Sequence, residues 1–333
     1  MTLKNSLYRD SFSHVYVEKA VINSDITKRI LNRLPEAKVI EINHFKDVFN
    51  KPGQNPGAQK QTQKLILAQN SGKKVYPGAP YCNDFGHNAF YYTSQVLNCP
   101  FGCSYCYLKG KFPSANIVAF VNTDDYLSEL DSVLGSGDAF VTLSYDSDIA
   151  ALEPLLDLLD KWYTHMSKHP GTTFELRTKS LYKPSCAPMD NLIFAISLLP
   201  QPVIDQFESG TPSLLKRIQH INTLLAAGYR VRIAIDPIMD IEDAGAIYNG
   251  FVDELGTSID LSLISDVSAG CFRMPSDYYK NMRKGFSGHL IHYYPFETIE
   301  KQVRYSKARE QELLDAVLTP LTKHLDKSRI YVR

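Results

Sequence analysis

The sequence has little of several features that would place it in other classes of protein. It has only six cysteines, and its 36 basic side chains are matched by 36 acidic ones. So few cysteines, three of them close together, do not supply a disulfide framework, and the charge balance creates no general attraction for nucleic acid or anionic membranes. No apolar run reaches the roughly 18 residues of a membrane span, and the first residues lack the apolar core of a signal peptide. We therefore expect a cytoplasmic protein whose 333 residues form one large core with an appendage.

The most informative segment carries Cys99, Cys103 and Cys106 in a C-x3-C-x2-C pattern, with no fourth cysteine close by. Closed zinc sites and electron-transfer iron–sulfur clusters usually take four protein ligands. Three thiolates on a [4Fe–4S] cube would leave one iron open to a small molecule, so this pattern favours an enzyme. Pro100 and Gly102 suit a loop that must bring three sulfurs together, because one fixes φ and the other permits unusual backbone angles.

Two alternatives for this segment stay open. A zinc site would take its fourth ligand from elsewhere in the chain, with Cys82, His87 or Cys271 as candidates. Such a zinc site would be typical of a non-catalytic protein that binds nucleic acid. Three buried thiols without a ligand are the second alternative, although they are uncommon at this spacing.

Residues 1–86 differ in pattern from the rest of the chain and predict a small N-terminal extension. Its predicted parts are a strand over Ser13–Glu18, a helix over Ile26–Leu34, a strand over Ala37–Ile42 and an irregular basic loop over Asn50–Lys74. From Ala89 onwards strand and helix patterns alternate, which predicts right-handed crossovers and a parallel sheet. The predicted strands are Ala89–Val96, Ile117–Val121, Phe140–Ser144, Thr173–Arg177, Leu192–Leu198, Arg230–Ile235 and Leu261–Ser265. The predicted helices between them are Tyr126–Leu134, Ile149–Met166, Ser213–Ala227 and Ala244–Leu255.

The cysteine segment follows the first of these strands. In barrels built from such units, catalytic groups lie at the C-terminal ends of the strands and in the loops that follow them. The cysteines are therefore expected on the catalytic face of a barrel.

The segment Phe272–Lys307 interleaves aromatic and basic side chains. Cations bind phosphates and flat aromatic faces stack on bases, so this composition suits a nucleic-acid surface. The alternative is the ordinary surface of an amphipathic helix and its loops. A helix over Gln311–Leu325 and a strand over Arg329–Val332 are predicted to follow.

Six groups of residues together resemble the spore photoproduct lyases, a family within the radical S-adenosylmethionine (SAM) superfamily. They are Cys99–Leu108, Ser144–Ile149, Arg177–Lys179, Phe194–Ser197, Phe207–Ile218, and Ala227–Tyr229 running into Ala234–Ile238. The resemblance implies an α/β fold, a partial (β/α)6 TIM-type barrel over residues 87–268. It also implies a helical and strand segment over residues 269–333 that faces the substrate or DNA.

The resemblance further implies an activity and its cofactors. The family repairs an ultraviolet lesion of spore DNA in which two adjacent thymines are joined through a methylene bridge. A [4Fe–4S] cluster and SAM would be the cofactors, because an electron from the cluster cleaves SAM to a 5′-deoxyadenosyl radical. Damaged DNA and an electron donor such as flavodoxin or ferredoxin would be the partners.

Roles for individual residues follow from the same resemblance. The cluster ligands would be Cys99, Cys103 and Cys106. The cofactor-binding residues for SAM would be Ser147, Lys179, Ser197 and Asp236. The tyrosines implicated in relaying the radical near SAM and the substrate would be Tyr105 and Tyr107.

One departure from the family concerns the hydrogen-atom donor. The lyases carry a donor cysteine in a segment of the form Cys-Thr-Ser-Asp-Ile, and here that segment is Tyr145–Ile149. Tyr145 could donate instead, since a phenolic O–H is not much harder to break than an S–H, but it could equally pack the pocket or shape it for another substrate. Cys82, Cys186 and Cys271 are the other candidate donors, and Cys271 is favoured because it follows a late strand. Two functions therefore stay open: a thymine-dimer lyase, or a radical SAM enzyme acting on a different nucleoside or small molecule.

Overall fold

The computed structural model of the chain describes residues 12–79, 82–135 and 138–333. The N-terminal residues considered for a signal peptide lie outside these ranges. Three β-sheets of five, eight and three strands form the framework, and helices pack around them. Within the described ranges, no helix combines the length and the apolarity that crossing a membrane would require.

The elements alternate along most of the chain. The strands are β1 (His14–Glu18), β2 (Lys38–Ile42), β3 (Leu65–Ala68), β4 (Val75–Pro77), β5 (Ala89–Thr93), β6 (Val96–Leu97), β7 (Ile117–Phe120), β8 (Ala139–Thr142), β9 (Thr172–Thr178), β10 (Leu192–Ser197), β11 (Arg230–Ile238), β12 (Asp266–Cys271), β13 (Arg273–Pro275), β14 (Glu297–Ile299), β15 (Gln302–Arg304) and β16 (Ile330–Val332). The α-helices are α1 (Asp25–Asn32), α2 (Lys46–Phe49), α3 (Pro56–Gln61), α4 (Leu108–Lys111), α5 (Thr123–Val133), α6 (Ile149–Leu156), α7 (Leu159–Met166), α8 (Gln201–Phe207), α9 (Leu214–Ala226), α10 (Ala244–Ser258), α11 (Ser276–Gly285) and α12 (Lys307–Leu321).

The largest sheet forms the partial barrel, with strand order β16-β12-β11-β10-β9-β8-β5-β4. Its strands pair in parallel from β5 to β16, and β4 adds an antiparallel edge. All residues of β10 and β12 are buried, as expected for parallel strands covered on both faces. The predicted α/β fold with a partial TIM-type barrel is confirmed.

A smaller sheet lies at the N-terminal side, with strand order β2-β1-β3-β7-β6. The sequence placed Ile117–Val121 among the barrel strands, and this prediction is wrong because β7 pairs in parallel with β3 of the smaller sheet. The predicted loop over Asn50–Lys74 is also wrong in part. Asn55 caps α3 by accepting a hydrogen bond from the Ala58 N–H, and the four residues of β3 are fully buried.

Local hydrogen bonds make two elements of the barrel differ from their predicted bounds, one strand and one helix. The strand expected at Leu261–Ser265 is instead a turn in which the Asp260 carboxylate accepts from the N–H and the hydroxyl of Ser262, so β12 starts later. The single helix expected at Ile149–Met166 is broken between α6 and α7. There the Glu153 carboxylate accepts hydrogen bonds from the Leu158 and Leu159 N–H groups, which caps α7.

The C-terminal part adds a third sheet and one edge strand of the barrel. Strands β13, β15 and β14 form the antiparallel three-stranded sheet, and β16 joins the barrel beside β12. Helix α11 packs directly on α4, the helix that follows the cysteine segment. A Cβ placed on Gly110 would lie 1.9 Å from the Tyr278 carbonyl oxygen, so only glycine permits this approach.

Candidate active site

A cavity of about 400 Å³ opens at the C-terminal ends of the barrel strands. Side chains from β5, β8, β9, β10 and β11 line it, as do residues of the cysteine segment and of β13 and α11. The sequence-predicted residues that line this cavity are Tyr105, Cys106, Tyr107, Tyr145, Lys179, Ser197 and Asp236. The cavity therefore gathers residues that are far apart in the sequence.

The cysteine segment contributes Cys106 to the wall of this cavity. Cys106 lines both the large cavity and a small neighbouring one of about 20 Å³, which Cys99 also lines. Cys103 is buried, with 7% of its surface exposed. All six cysteines are free thiols, so no disulfide competes for these sulfurs.

A lysine from the N-terminal layer holds the cysteine loop from one side. Lys60 lies on α3, and its Nζ donates to the carbonyl oxygens of Cys99 at 2.6 Å and Pro100 at 3.1 Å. Gln63 donates to the Cys99 carbonyl at 3.2 Å. Burial lowers the pKa of Lys60, although the nearby thiols of the three cysteines oppose this change. Sequence reasoning missed these residues because it treated the stretch as a solvated loop.

Backbone hydrogen bonds hold the same loop from the other side. The Gly102 N–H donates to the Ser209 carbonyl and the Ser104 N–H to the Phe207 carbonyl, both at 2.8 Å. A Cβ on Gly102 would lie 3.1 Å from the Ser209 Cβ, closer than side chains normally approach. The absence of a side chain at Gly102 therefore lets the cysteine loop pack closely against the segment that follows α8.

Burial determines the protonation of the unligated thiols. Burial raises the pKa of Cys103 to about 12 and raises that of Cys99 further. Unligated thiols in these positions are protonated at neutral pH, whereas coordination to a metal removes the proton. Three soft sulfur ligands beside the cations Lys60 and Lys109 fit an iron–sulfur cluster, whose net charge is negative.

Each candidate for a fourth zinc ligand has a different partner. The His87 Nδ1 contacts the Asp138 carboxylate, and the Cys271 Sγ lies 3.6 Å from the Glu310 carbonyl oxygen. The Cys82 Sγ lies 3.8 Å from the Tyr145 hydroxyl. His87 and Cys271 do not line the large cavity that Cys106 lines, whereas Cys82 does.

A buried carboxylate, Glu208, organises the charges beside the cysteines. It accepts hydrogen bonds from the Tyr105 hydroxyl and, at 2.5 Å, from Arg217 Nη2, and the Lys179 Nζ lies 3.7 Å from it. Burial alone would lower the pKa of Lys179, but Glu208 and the Cys103 thiol reverse this effect and raise it. Lys179 is therefore a permanent cation at the cavity wall. The sequence predictions include Glu208 only within the Phe207–Ile218 segment, and this role is not among them.

A second carboxylate, Asp148, positions the backbone of Lys179. It caps α6 by accepting from the Ala151 N–H at 2.9 Å, and it also accepts from Thr178 Oγ1 at 2.7 Å and the Lys179 N–H at 2.8 Å. The neighbouring Ser147 does not line the cavity, unlike the other predicted SAM residues. Its hydroxyl is buried and has no hydrogen-bond partner among the described residues.

Tyr145 lies in an aromatic group on the cavity wall. Its ring stacks on Tyr92 with centroids 3.9 Å apart, and the Tyr107 hydroxyl donates to its carbonyl oxygen. Of the three other candidate donors, Cys82 is the one that lines the cavity. Sequence reasoning favoured Cys271, whereas the structure places that thiol in a buried position beneath α12, outside the cavity lining.

Arginine and carboxylate side chains form the opposite wall. Glu175 accepts from Arg232 Nη1 at 2.7 Å and from Arg177 Nε at 3.2 Å. Asp236 accepts from Arg333 Nη1 at 3.1 Å. Burial tends to raise the pKa of Glu175, but the surrounding arginines outweigh it and lower the pKa to about 2. Of this charged group only Asp236 is a predicted site residue, because the members come from β9, β11 and the last residue of the chain and share no motif.

The aromatic and basic stretch near the C-terminus divides into two groups. Tyr279 and Tyr305 are buried, and Arg304 donates to Glu310, so these residues stabilise the fold. Tyr278 and Arg273 line the cavity. The exposed cations of α11 are Lys280, Arg283 and Lys284.

Comparison with known proteins gives consistent results. The family model described as spore photoproduct lyase matches residues 11–284. Spore photoproduct lyase of Bacillus subtilis (strain 168) is 22% identical over 271 residues, which are 76% of this chain and 75% of that protein.

Solved structures resemble the chain over nearly its whole length. A mutant spore photoproduct lyase with dinucleoside spore photoproduct has a TM-score of 0.81 at 18% identity, covering 96% of this chain and 98% of that one. A double mutant with bound AdoMet (SAM) and dinucleoside spore photoproduct has a TM-score of 0.80 at 18% identity, with the same coverage. These structures share the fold of the partial barrel and its N-terminal layer.

Proposed function

The chain belongs to the spore photoproduct lyase family, a family of radical SAM lyases, and on this premise we propose that it repairs the methylene-bridged thymine dimer in DNA. The observation that carries the proposal is the shared cavity. Cys106, the cation Lys179 and Tyr145, which replaces the family's donor cysteine, line the same space at the strand ends. In barrels of this kind, that face is where the chemistry takes place.

The cysteine loop supports a cluster, and the cavity wall beside it supports SAM. Cys99, Cys103 and Cys106 would hold the cluster. When bound, the cluster and SAM would supply a 5′-deoxyadenosyl radical, the reactive species that cleavage of the lesion requires. Lys179 is suited to the SAM carboxylate, because Glu208 keeps its ammonium charged and fixes its direction.

Polar groups near Lys179 would complete the SAM site. Ser197 ends β10, and Asp236 lies near the end of β11, and both line the cavity. The buried Ser147 hydroxyl has no partner among the described residues, and an unsatisfied buried hydroxyl is costly. A polar group of a bound ligand, or a water that it orders, would remove that cost.

Tyr145 and Cys82 are proposed to supply the hydrogen atom that ends the reaction. After the methylene bridge breaks, a carbon radical remains on one thymine. The Tyr145 O–H or the Cys82 S–H would give it one hydrogen atom, which forms the C–H bond of the methyl group and leaves the unpaired electron on oxygen or sulfur. The 3.8 Å between the two groups would allow a hydrogen atom to pass between them.

The partners would approach from two sides. Lys280, Arg283 and Lys284 are exposed on α11 beside the cavity and would contact DNA phosphates. An acidic electron donor such as flavodoxin or ferredoxin would approach the small cavity next to Cys99, which Lys60 and Lys109 line.

The test is an assay of anaerobically reconstituted protein with SAM, dithionite and an oligonucleotide that carries the lesion. The expected result is recovery of thymine together with 5′-deoxyadenosine, both absent from the Cys103→Ala control. If SAM is cleaved but no thymine is recovered and DNA is not bound, the lesion is not the substrate. The substrate is then a different nucleoside or small molecule. If iron-loaded protein fails to cleave SAM, the radical SAM activity itself is excluded.

A further inference from the structure

A second group of ligating side chains lies in the outer helical layer, and none of its members lines the large cavity. Asp131 is near the end of α5, His165 is on α7, and His169 lies in the turn after α7. The Asp131 Oδ1 is 3.1 Å from His165 Nε2 and 2.9 Å from His169 Nε2. The two imidazole nitrogens and the carboxylate oxygen all lie within 4.8 Å of one another.

His165 is the unusual member of this group. Only 6% of its surface is exposed, and its Nε2 is aimed into the group. The contact with Asp131 lacks the alignment of a hydrogen bond, and no other residue in the described part of the chain bonds to this nitrogen. A buried ring nitrogen without a hydrogen bond is costly, so its position needs an explanation.

A carboxylate paired with two protonated histidines explains the arrangement poorly. If both histidines were protonated, two cationic rings would face each other with centroids 4.5 Å apart, and one of them is buried. Neutral imidazoles that share a cation avoid this repulsion. Zn–N distances near 2.0–2.1 Å place neighbouring ligands of a tetrahedral zinc about 3.3 Å apart, close to the two distances from Asp131 Oδ1 to the imidazole nitrogens.

Backbone hydrogen bonds hold the turn that carries His169. Its N–H donates to the Met166 carbonyl at 3.0 Å. The Asn191 side-chain amide donates to the carbonyl oxygens of both Met166 and His169 at 2.9 Å. The His169 position is thus fixed by the fold before any ion arrives, which lowers the entropic cost of binding.

We propose that Asp131, His165 and His169 form a binding site for a divalent transition-metal ion such as zinc, with water completing the coordination. Two imidazoles and a carboxylate are a ligand set that zinc uses widely. Because the ligands come from α5 and from α7 with its following turn, the ion would fasten these two segments of the outer layer together. The site is separate from the cysteines, so it is independent of the proposed lyase activity.

The test uses full-length protein whose cysteine cluster has been reconstituted, so that those thiols do not bind the added metal. Zinc is titrated and the bound metal measured after equilibrium dialysis. We expect one zinc per chain, with binding weakened about tenfold or more in His169→Gln and Asp131→Asn. Both side chains are partly exposed, so these variants should fold, and His324→Gln, which changes an exposed histidine outside the group, is the matched control.

Two further measurements make the result specific. Zinc should raise the thermal midpoint of the parent and of His324→Gln, but not that of Asp131→Asn, because an ion that binds only the folded state stabilises it. Bound Co2+ should show visible d–d bands without thiolate charge-transfer bands. The proposal is overturned if zinc does not bind, if it binds the parent and both ligand variants equally, or if cobalt shows thiolate ligation.

Discussion

The Tyr145 hydroxyl lies 3.8 Å from the Cys82 Sγ on the wall of the large cavity. The two residues are 63 positions apart in the sequence. Under the proposed function, this phenol and thiol would be a pair of hydrogen-atom donors where the family has a donor cysteine. The first prediction follows from this pair.

Tyr145→Phe should reduce thymine recovery about tenfold or more while SAM cleavage continues, because the ring remains but its O–H is lost. Product analysis in D2O measures the donor directly, since the exchangeable O–H and S–H groups should place deuterium in the thymine methyl group. Cys82→Ala should lower this incorporation, whereas Cys186→Ala should not. Unchanged deuterium content in both Tyr145→Phe and Cys82→Ala would exclude the pair as the donor.

Lys179→Met should weaken SAM binding about 10- to 100-fold, since a hydrogen bond to a charged group contributes about 1.5–3 kcal/mol. The cluster content should stay constant, because the lysine does not ligate iron. Equilibrium binding of SAM to the reconstituted protein measures the effect. Lys183→Met, which changes an exposed lysine four residues later, should bind SAM like the parent.

Gly110→Ala should lower the free energy of unfolding by about 1–3 kcal/mol or more, because the new Cβ would overlap the backbone of α11. Gly250→Ala is the matched control. That glycine lies inside α10, and a Cβ added there would have no neighbouring atom within 4 Å, so alanine should stabilise the helix by about 0.5–1 kcal/mol. Urea unfolding of both variants checks the prediction, and equal effects would contradict it.

Because of Glu175, the free energy of unfolding of the protein should decrease as the pH is lowered. Its folded pKa of about 2 is below the ordinary value of 4.5, so the unfolded chain takes up the proton first. The stabilisation is complete above pH 4.5 and is lost as the pH falls towards 2.

Urea midpoints across this pH range test the role of Glu175. Glu175→Gln should make the loss of stability in acid smaller and should cost about 1–3 kcal/mol at neutral pH, because Arg232 loses its hydrogen bond to a charged Glu175 and keeps only its pair with Asp266. Glu254→Gln, at an exposed position on α10, should change neither quantity. An acid profile of Glu175→Gln that matches the parent would contradict the assignment.

The triple change of Lys280, Arg283 and Lys284 to Gln should weaken DNA binding and make it less dependent on salt. Each phosphate contact that is lost reduces the slope of log K against log salt by about 0.9 for duplex DNA. Fluorescence anisotropy at several salt concentrations measures this slope. The matched control changes Lys28, Lys38 and Lys46, three exposed lysines of the N-terminal layer, to Gln. The control should keep the DNA affinity and the salt slope of the parent, and equal slopes for the two triple variants would contradict the prediction.

The sequence was sufficient to predict elements with strong local patterns. The barrel strands at β8, β9 and β10 lie within one or two residues of their predicted bounds, because buried parallel strands are continuous apolar runs. The motif residues of the cysteine loop were also apparent. By contrast, β7 has the same apolar pattern as a barrel strand, and only its pairing with β3 decides which sheet it joins.

The supporting charges could not be predicted, since their partners are distant in the sequence. Lys60 lies 39 residues from Cys99, whose carbonyl it contacts, and Tyr105 lies 103 residues from Glu208. Residues so far apart in the sequence come into contact only when the chain folds. The preference for Cys271 as a donor failed for the same reason, because following a strand does not determine whether a thiol reaches the cavity.

The pairing of β3 with β7 has a consequence for maturation of the protein in the cell. These strands precede and follow the cysteine loop, and Lys60, just before β3, donates to the loop's carbonyl groups. On the ribosome, the loop emerges before β7 can complete this sheet. The loop can therefore take its folded shape only after residues 117–120 have been synthesised.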